Sequence, residues 1–67
     1  MSVFREVAVV SLVNYGGQLD CRYAKGAGQE DIKAALYELI RDAVIQDGDS
    51  IVIDVVEVEE DLSLIHI

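Results

Sequence analysis

Residues 3–13 carry apolar side chains on both phases of a two-residue alternation. Phe4, Ala8, Val10 and Leu12 share one phase, and Val7, Val9 and Val13 share the other. Density in β-branched residues predicts a strand, and apolar character on both faces predicts a central one whose second face is covered. Asn14-Tyr15-Gly16-Gly17 follows, a run that tolerates positive φ and predicts a hairpin. Residues 18–24 then alternate, with Leu19, Cys21 and Tyr23 expected inward and Gln18, Asp20 and Arg22 outward. After a glycine-rich connection over 25–28, the period changes. Ile32, Ala35, Leu36, Leu39, Ile40 and Ala43 form one stripe at helical spacing and predict a helix over 29–46. Glu30 and Asp31 in its first turn suit the positive end of the helix dipole, and Gly48 is placed to end it. Tyr37, Val44 and Ile45 fall beside or outside the stripe, which leaves apolar surface exposed. Residues 50–60 predict a third strand whose alternation slips. A bulge near Val55 would put Ile51, Ile53, Val56 and Val58 together and turn Asp54, Glu57 and Glu59 outward.

The element order β-β-α-β defines an α+β domain. A right-handed crossover makes the second and third strands parallel, with the first antiparallel between them, so the expected sheet order is 2-1-3. One helix covers one face of such a sheet. The face bearing Val7, Val9 and Val13 therefore calls for further chain, a target or a second copy, and a homodimer through these valines is one expectation.

Length limits the architecture to a single domain over 1–61. A chain of 67 residues is short, and one of this size buries only about 60% of its unfolded surface. With 52% hydrophobic residues and no proline it reads as folded. The last six residues, Leu62-Ser63-Leu64-Ile65-His66-Ile67, stand apart. They resemble, codon by codon, a translation of the transposase adapter of sequencing libraries, CTGTCTCTTATACACATC. On that reading 62–67 is a non-native tail from a metagenomic or virome read. The native frame then has room to continue past Asp61, and His66, the single histidine, is no candidate base or ligand. The alternative is a short terminal fourth strand, with Leu62, Leu64 and His66 on one side and Ser63, Ile65 and Ile67 on the other.

Charge changes the picture more than composition does. Residues 1–41 balance Glu6, Asp20, Glu30, Asp31 and Glu38 against Arg5, Arg22, Lys25, Lys33 and Arg41. Residues 42–61 hold Asp42, Asp47, Asp49, Asp54, Glu57, Glu59, Glu60 and Asp61 with no base, which accounts for the net charge of -8. Direct nucleic-acid binding is not expected, because it draws its affinity from Lys and Arg on phosphates. The longest apolar run, over 7–10, is far short of the roughly 20 residues of a membrane span. With no leader pattern and a lone Cys21 unable to close an internal disulfide, a cytoplasmic location is expected, in the host if the protein is phage-encoded.

Candidate chemistries weigh lightly. Lys25-Gly26-Ala27-Gly28 precedes a helix, as phosphate cradles do, yet it lacks the P-loop pattern and is followed by Glu30 and Asp31. Asp47-Gly48-Asp49 with Asp54 and Glu57 lacks the spacing of a calcium loop and reads as a turn leading into a solvated strand. Cys21 alternates with apolar neighbours and reads as a small core residue. No catalytic, cofactor-binding or metal-binding residue is assigned. Partner-binding candidates are Tyr15 at the hairpin tip and Asp47, Asp49, Asp54, Glu57, Glu59 and Glu60. The size, acidity and adapter-like tail are similar to those of small phage-encoded proteins, including anti-CRISPR and other anti-defence inhibitors. The expectation is a non-enzymatic acidic module that binds a protein with a basic surface. The alternatives are a nucleic-acid mimic occupying a DNA- or RNA-binding channel and a truncated structural or assembly protein.

Overall fold

The computed structural model describes residues 2–61. Four elements follow in order: β1 (Ser2–Asn14), β2 (Gly17–Tyr23), α1 (Gln29–Asp42) and β3 (Ser50–Asp61). The strands form one sheet in the order β2-β1-β3, with both outer strands antiparallel to β1. This is the α+β arrangement expected from the element order. The proposed terminal strand over 62–67 lies outside the described residues.

The β1–β2 turn holds Tyr15 at φ 53 and Gly16 at φ 74, between Asn14 and its strand partner Gly17. Two consecutive positive φ values are what a two-residue hairpin loop of matching twist requires. Glycine accepts that conformation freely, whereas tyrosine does so at a cost.

The helix starts where expected and stops earlier than the predicted residue 46. Ala43 caps it in an extended conformation, with ψ 148, and its N–H donates to Leu39 O at 2.9 Å. The apolar stripe itself ends at Ala43, and Val44 and Ile45, outside it, follow in non-helical backbone. Gly48 serves a different turn, at φ 88, where the Asp49 N–H donates to Gln46 O at 3.1 Å. Near its end α1 is held by Asp42, which takes Arg41 Nε at 2.8 Å and Arg22 from β2 at 3.3 Å.

Two further expectations are corrected. The β1–β3 register runs without a shift from Ser2↔Asp61 to Val13↔Ser50, so β3 has no bulge near Val55. Its slipped pattern instead reflects apolar residues on both faces: Ile51, Ile53 and Val55 opposite Leu12, Val10 and Ala8, and Val52 and Val56 opposite Ser11 and Val7. The irregularity lies in the other ladder, where Leu12 pairs Asp20 and Val13 pairs Gln18, leaving Leu19 as the extra residue. The phase of β2 is correspondingly the reverse of that predicted. Asp20 and Arg22 lie opposite Leu12 and Val10 on the helix side, Cys21 is half-buried on the far side, and Leu19 and Tyr23 are exposed.

The core is a small cluster of Ala8, Val10 and Leu12 from β1, Ala24 beyond β2, and Ala35 and Leu39 from α1. Ile32, Leu36 and Ala43 pack around it, and Ile40, expected in the stripe, is exposed. Alanines at Ala8, Ala24 and Ala35 let the helix approach the sheet closely. The helix packs mainly on β1 and β2 and leaves Ile51, Ile53 and Val55 of β3 exposed. Residues 2–7 of β1 also extend past β2, so that this stretch and the second half of β3 form a two-stranded ribbon at one end of a molecule measuring 46 × 24 × 21 Å.

Candidate protein-binding surface

Pairing with β1 sets where each acidic residue of β3 stands. Glu57 lies opposite Glu6 and Glu59 opposite Phe4, on the helix side of the ribbon but beyond the helix itself. Asp54 and Glu60 lie opposite Val9 and Val3 on the other side. Asp47 and Asp49 precede β3 at the far end of the sheet, near the hairpin that carries Tyr15. With roughly 3.3 Å of rise per residue, Asp49 and Glu59 are separated by about 30 Å. The acidic stretch is continuous in sequence and divided in space.

The two ends also differ in how their carboxylates are used. Asp49 is occupied structurally: it accepts from the Asn14 side-chain amide and, at 2.9 Å, from the Gln46 N–H, which ties the entry to β3 to the hairpin. Tyr15, 99% exposed, projects from the turn. At the ribbon end, Arg5 Nε meets Glu60 at 2.9 Å and its guanidinium also donates to Lys25 O at 3.0 Å. Arg22, Lys33 and Arg41 pair with Asp20, Asp42 and Glu30 elsewhere. Among the described residues, Glu6, Glu57 and Glu59 meet no basic side chain within ion-pair distance. Glu6 and Glu57 are like charges directly across the ladder, an arrangement that costs stability.

Phe4 lies on the face expected for it but is not covered there. It shares the phase of Ala8 and Val10 but lies past the end of the helix cover, and is 66% exposed beside Glu59. The alternation was readable, whereas the reach of the helix was not. On the opposite side of the sheet, Val7 is only 3% exposed and Val9 and Val13 are half-buried. Exposed apolar residues also run along β3, with Ile53 at 45% and Val55 at 52%.

Two other features bear on chemistry. A cleft of about 230 Å³ between the end of β2 and α1 includes Tyr23, Lys25, Asp31 and Glu38. It falls below the usual ligand-pocket range of roughly 300–1,000 Å³. At the glycine-rich loop, a Cβ on Gly26 would meet the Asp31 carboxylate at 2.7 Å, so that carboxylate already occupies the space in front of the loop. The strongest electrostatic perturbation is at Asp42, whose pKa is lowered to about 2 by hydrogen bonds from Arg41 and then Arg22. That group clasps the helix end to β2.

Among the described residues, no helix is long and apolar enough to cross a membrane. Comparison with protein-family models, curated proteins and solved structures finds no match.

Proposed function

We propose that this protein is a non-enzymatic acidic binding module, of the kind carried by phages and mobile elements, that docks a basic surface of a partner protein. The observation carrying this reading is the ribbon end, where Glu6, Glu57 and Glu59 share one face with the exposed Phe4. An aromatic anchor within a field of one charge sign supplies both apolar contact area and complementarity to Lys and Arg. A mimic of a nucleic-acid strand would call for a long row of anions. Here Asp54 and Glu60 point to the opposite side and Asp47 and Asp49 lie at the far end, so the geometry favours a compact contact.

The test is affinity capture at low salt followed by titration of the captured basic protein. The wild type is expected to bind in a salt-sensitive manner, and Glu57→Gln with Glu59→Gln and Glu60→Gln is expected to weaken binding by at least about ten-fold, or 1.4 kcal/mol. The variant loses the Arg5–Glu60 ion pair and the Glu6–Glu57 repulsion together, and its denaturant unfolding, run beside the binding titration, separates lost binding from lost stability. Unchanged affinity in the triple variant would refute the reading.

A further inference from the structure

The outer edge of β3 has a definite polarity that follows from its neighbours. Ala8 turns both backbone groups toward the β2 side, where its N–H donates to Gly26 O at 3.1 Å and its carbonyl accepts from Ala24 N–H at 2.8 Å. Backbone direction alternates along an antiparallel strand, so Val7 and Val9 face β3, and their partners Val56 and Asp54 face β1. The N–H and C=O groups of Ile51, Ile53, Val55, Glu57 and Glu59 therefore point away from the sheet. Among the described residues no strand lies on that side.

The same five residues direct their side chains to the helix side, where α1 packs mainly on β1 and β2 and leaves them exposed. Along this edge an exposed apolar row, Ile51, Ile53 and Val55, runs directly into the carboxylates Glu57 and Glu59. Long, exposed apolar edges are ordinarily blunted by charge, proline or bulges because they template strand addition. This one has no bulge and no proline, and its charge is of one sign, with Glu57 and Glu59 at one end and Asp54 on the opposite face.

Charge also selects among occupants. A second copy paired antiparallel about Ile53 would bring Glu57 toward Asp49 and Glu59 toward Asp47. Moving the two-fold axis to Asp54 would set that carboxylate against its own copy, and moving it to Val55 would set Glu57 against Ile53 and Glu59 against Ile51, covering carboxylates with apolar side chains that give them no partner. Like charges directly opposite are destabilising, whereas a cationic strand meets the same positions with opposite charge. We infer that the β3 edge over 51–59 accepts an extended segment of a partner protein as an added strand. Its apolar side chains lie over Ile51, Ile53 and Val55, and its Lys or Arg side chains lie over Glu57 and Glu59. Backbone hydrogen bonds supply affinity in this mode and alternate side chains supply selectivity. The inference rests on the acidic-module reading and specifies the form of its partner.

The test titrates the full chain with the peptide Lys-Thr-Lys-Thr-Val-Thr-Val-Thr-Val, whose antiparallel alignment places its lysines opposite Glu59 and Glu57. A second peptide is N-methylated at the valines, and a third has threonine in place of both lysines. Binding by the first is expected to slow hydrogen exchange at Ile51, Ile53 and Val55. N-methylation, which removes several backbone hydrogen bonds, is expected to weaken binding by at least about ten-fold. Equal affinity for the N-methylated peptide would overturn strand addition and leave charge-driven docking intact. Equal affinity for the lysine-free peptide, with the same amides slowed, would keep the added strand and overturn the acidic-module reading. No binding by any peptide would overturn the strand assignment alone, because the captured basic protein tests the reading separately. Slow exchange at these amides in the free chain would also overturn it, in favour of a second copy if the chain sediments as a dimer.

Discussion

The β2–β1–α1 body and the β1–β3 ribbon are built on the same central strand and have opposite packing. In the body, β1 is held by a strand on each side and by a helix above, and Ala8, Val10 and Leu12 are all buried. In the ribbon the same strand has one partner, and Phe4 and Glu6, in the same phase as those residues, are exposed. The difference teaches that side-chain phase alone does not decide burial. The length of a single 14-residue helix decides it, by setting where the cover ends. Stability is concentrated in the body, and the ribbon and β3 edge are left as surface.

The strongest way to break this comparison is to truncate one residue on each side of the divide. Leu39→Ala, at a fully buried site in the body, is expected to cost about 2–5 kcal/mol in denaturant unfolding. Ile53→Ala on the exposed edge is expected to cost less than about 1.5 kcal/mol, since only part of its side chain leaves water. Equal losses would show that β3 belongs to the core. A smaller change sharpens the account of the hairpin. Tyr15→Asn places a residue more tolerant of positive φ at the turn and is expected to raise stability by about 0.5–1 kcal/mol, read from the unfolding midpoint.

The ribbon is predicted to gain where a binding module loses. Glu57→Gln removes a like-charge pair with Glu6 and is expected to stabilise by about 0.2–1 kcal/mol at low salt, an effect that shrinks as salt rises. A loss of stability would indicate that Glu57 has a favourable partner. The smallest effect concerns the clasp at the helix end. Asp42 titrates lower in the folded state than unfolded, so its contribution is present above about pH 4 and is lost as pH falls toward about 2. Asp42→Asn is expected to flatten that part of the stability-against-pH curve and leave the neutral region otherwise similar in shape.

Much of the fold was legible in the sequence because local signals agreed. The double-phase apolar pattern of β1, the Tyr15-Gly16 turn and the helix stripe each pointed to one element, and the order β-β-α-β fixed the sheet order. The failures lie where two physical causes produce the same pattern. Val44 and Ile45 continue an apolar run after the helix has ended, and Leu19 adds one residue that reverses the phase of β2. In β3 an apolar slip was read as a bulge although the strand simply has two partly apolar faces. The candidate surface was legible as a list of acids but not as a shape. Tyr15 was correctly expected to be exposed, yet Asp47 and Asp49 sit far from Glu57 and Glu59. Glu6 and Phe4, remote in sequence, join them through a register that no local signal encodes.

The central position of β1 has a consequence for how the chain reaches this structure. Its pairing with β2 closes over a two-residue loop and forms on the microsecond scale, whereas its pairing with β3 joins Ser2 to Asp61, near the opposite ends of the described chain. The hairpin is therefore expected to form before the outer edge of β1 meets its partner. Whatever strand reaches that edge first, from the same molecule or another, determines whether the product is a closed monomer or an exchanged assembly.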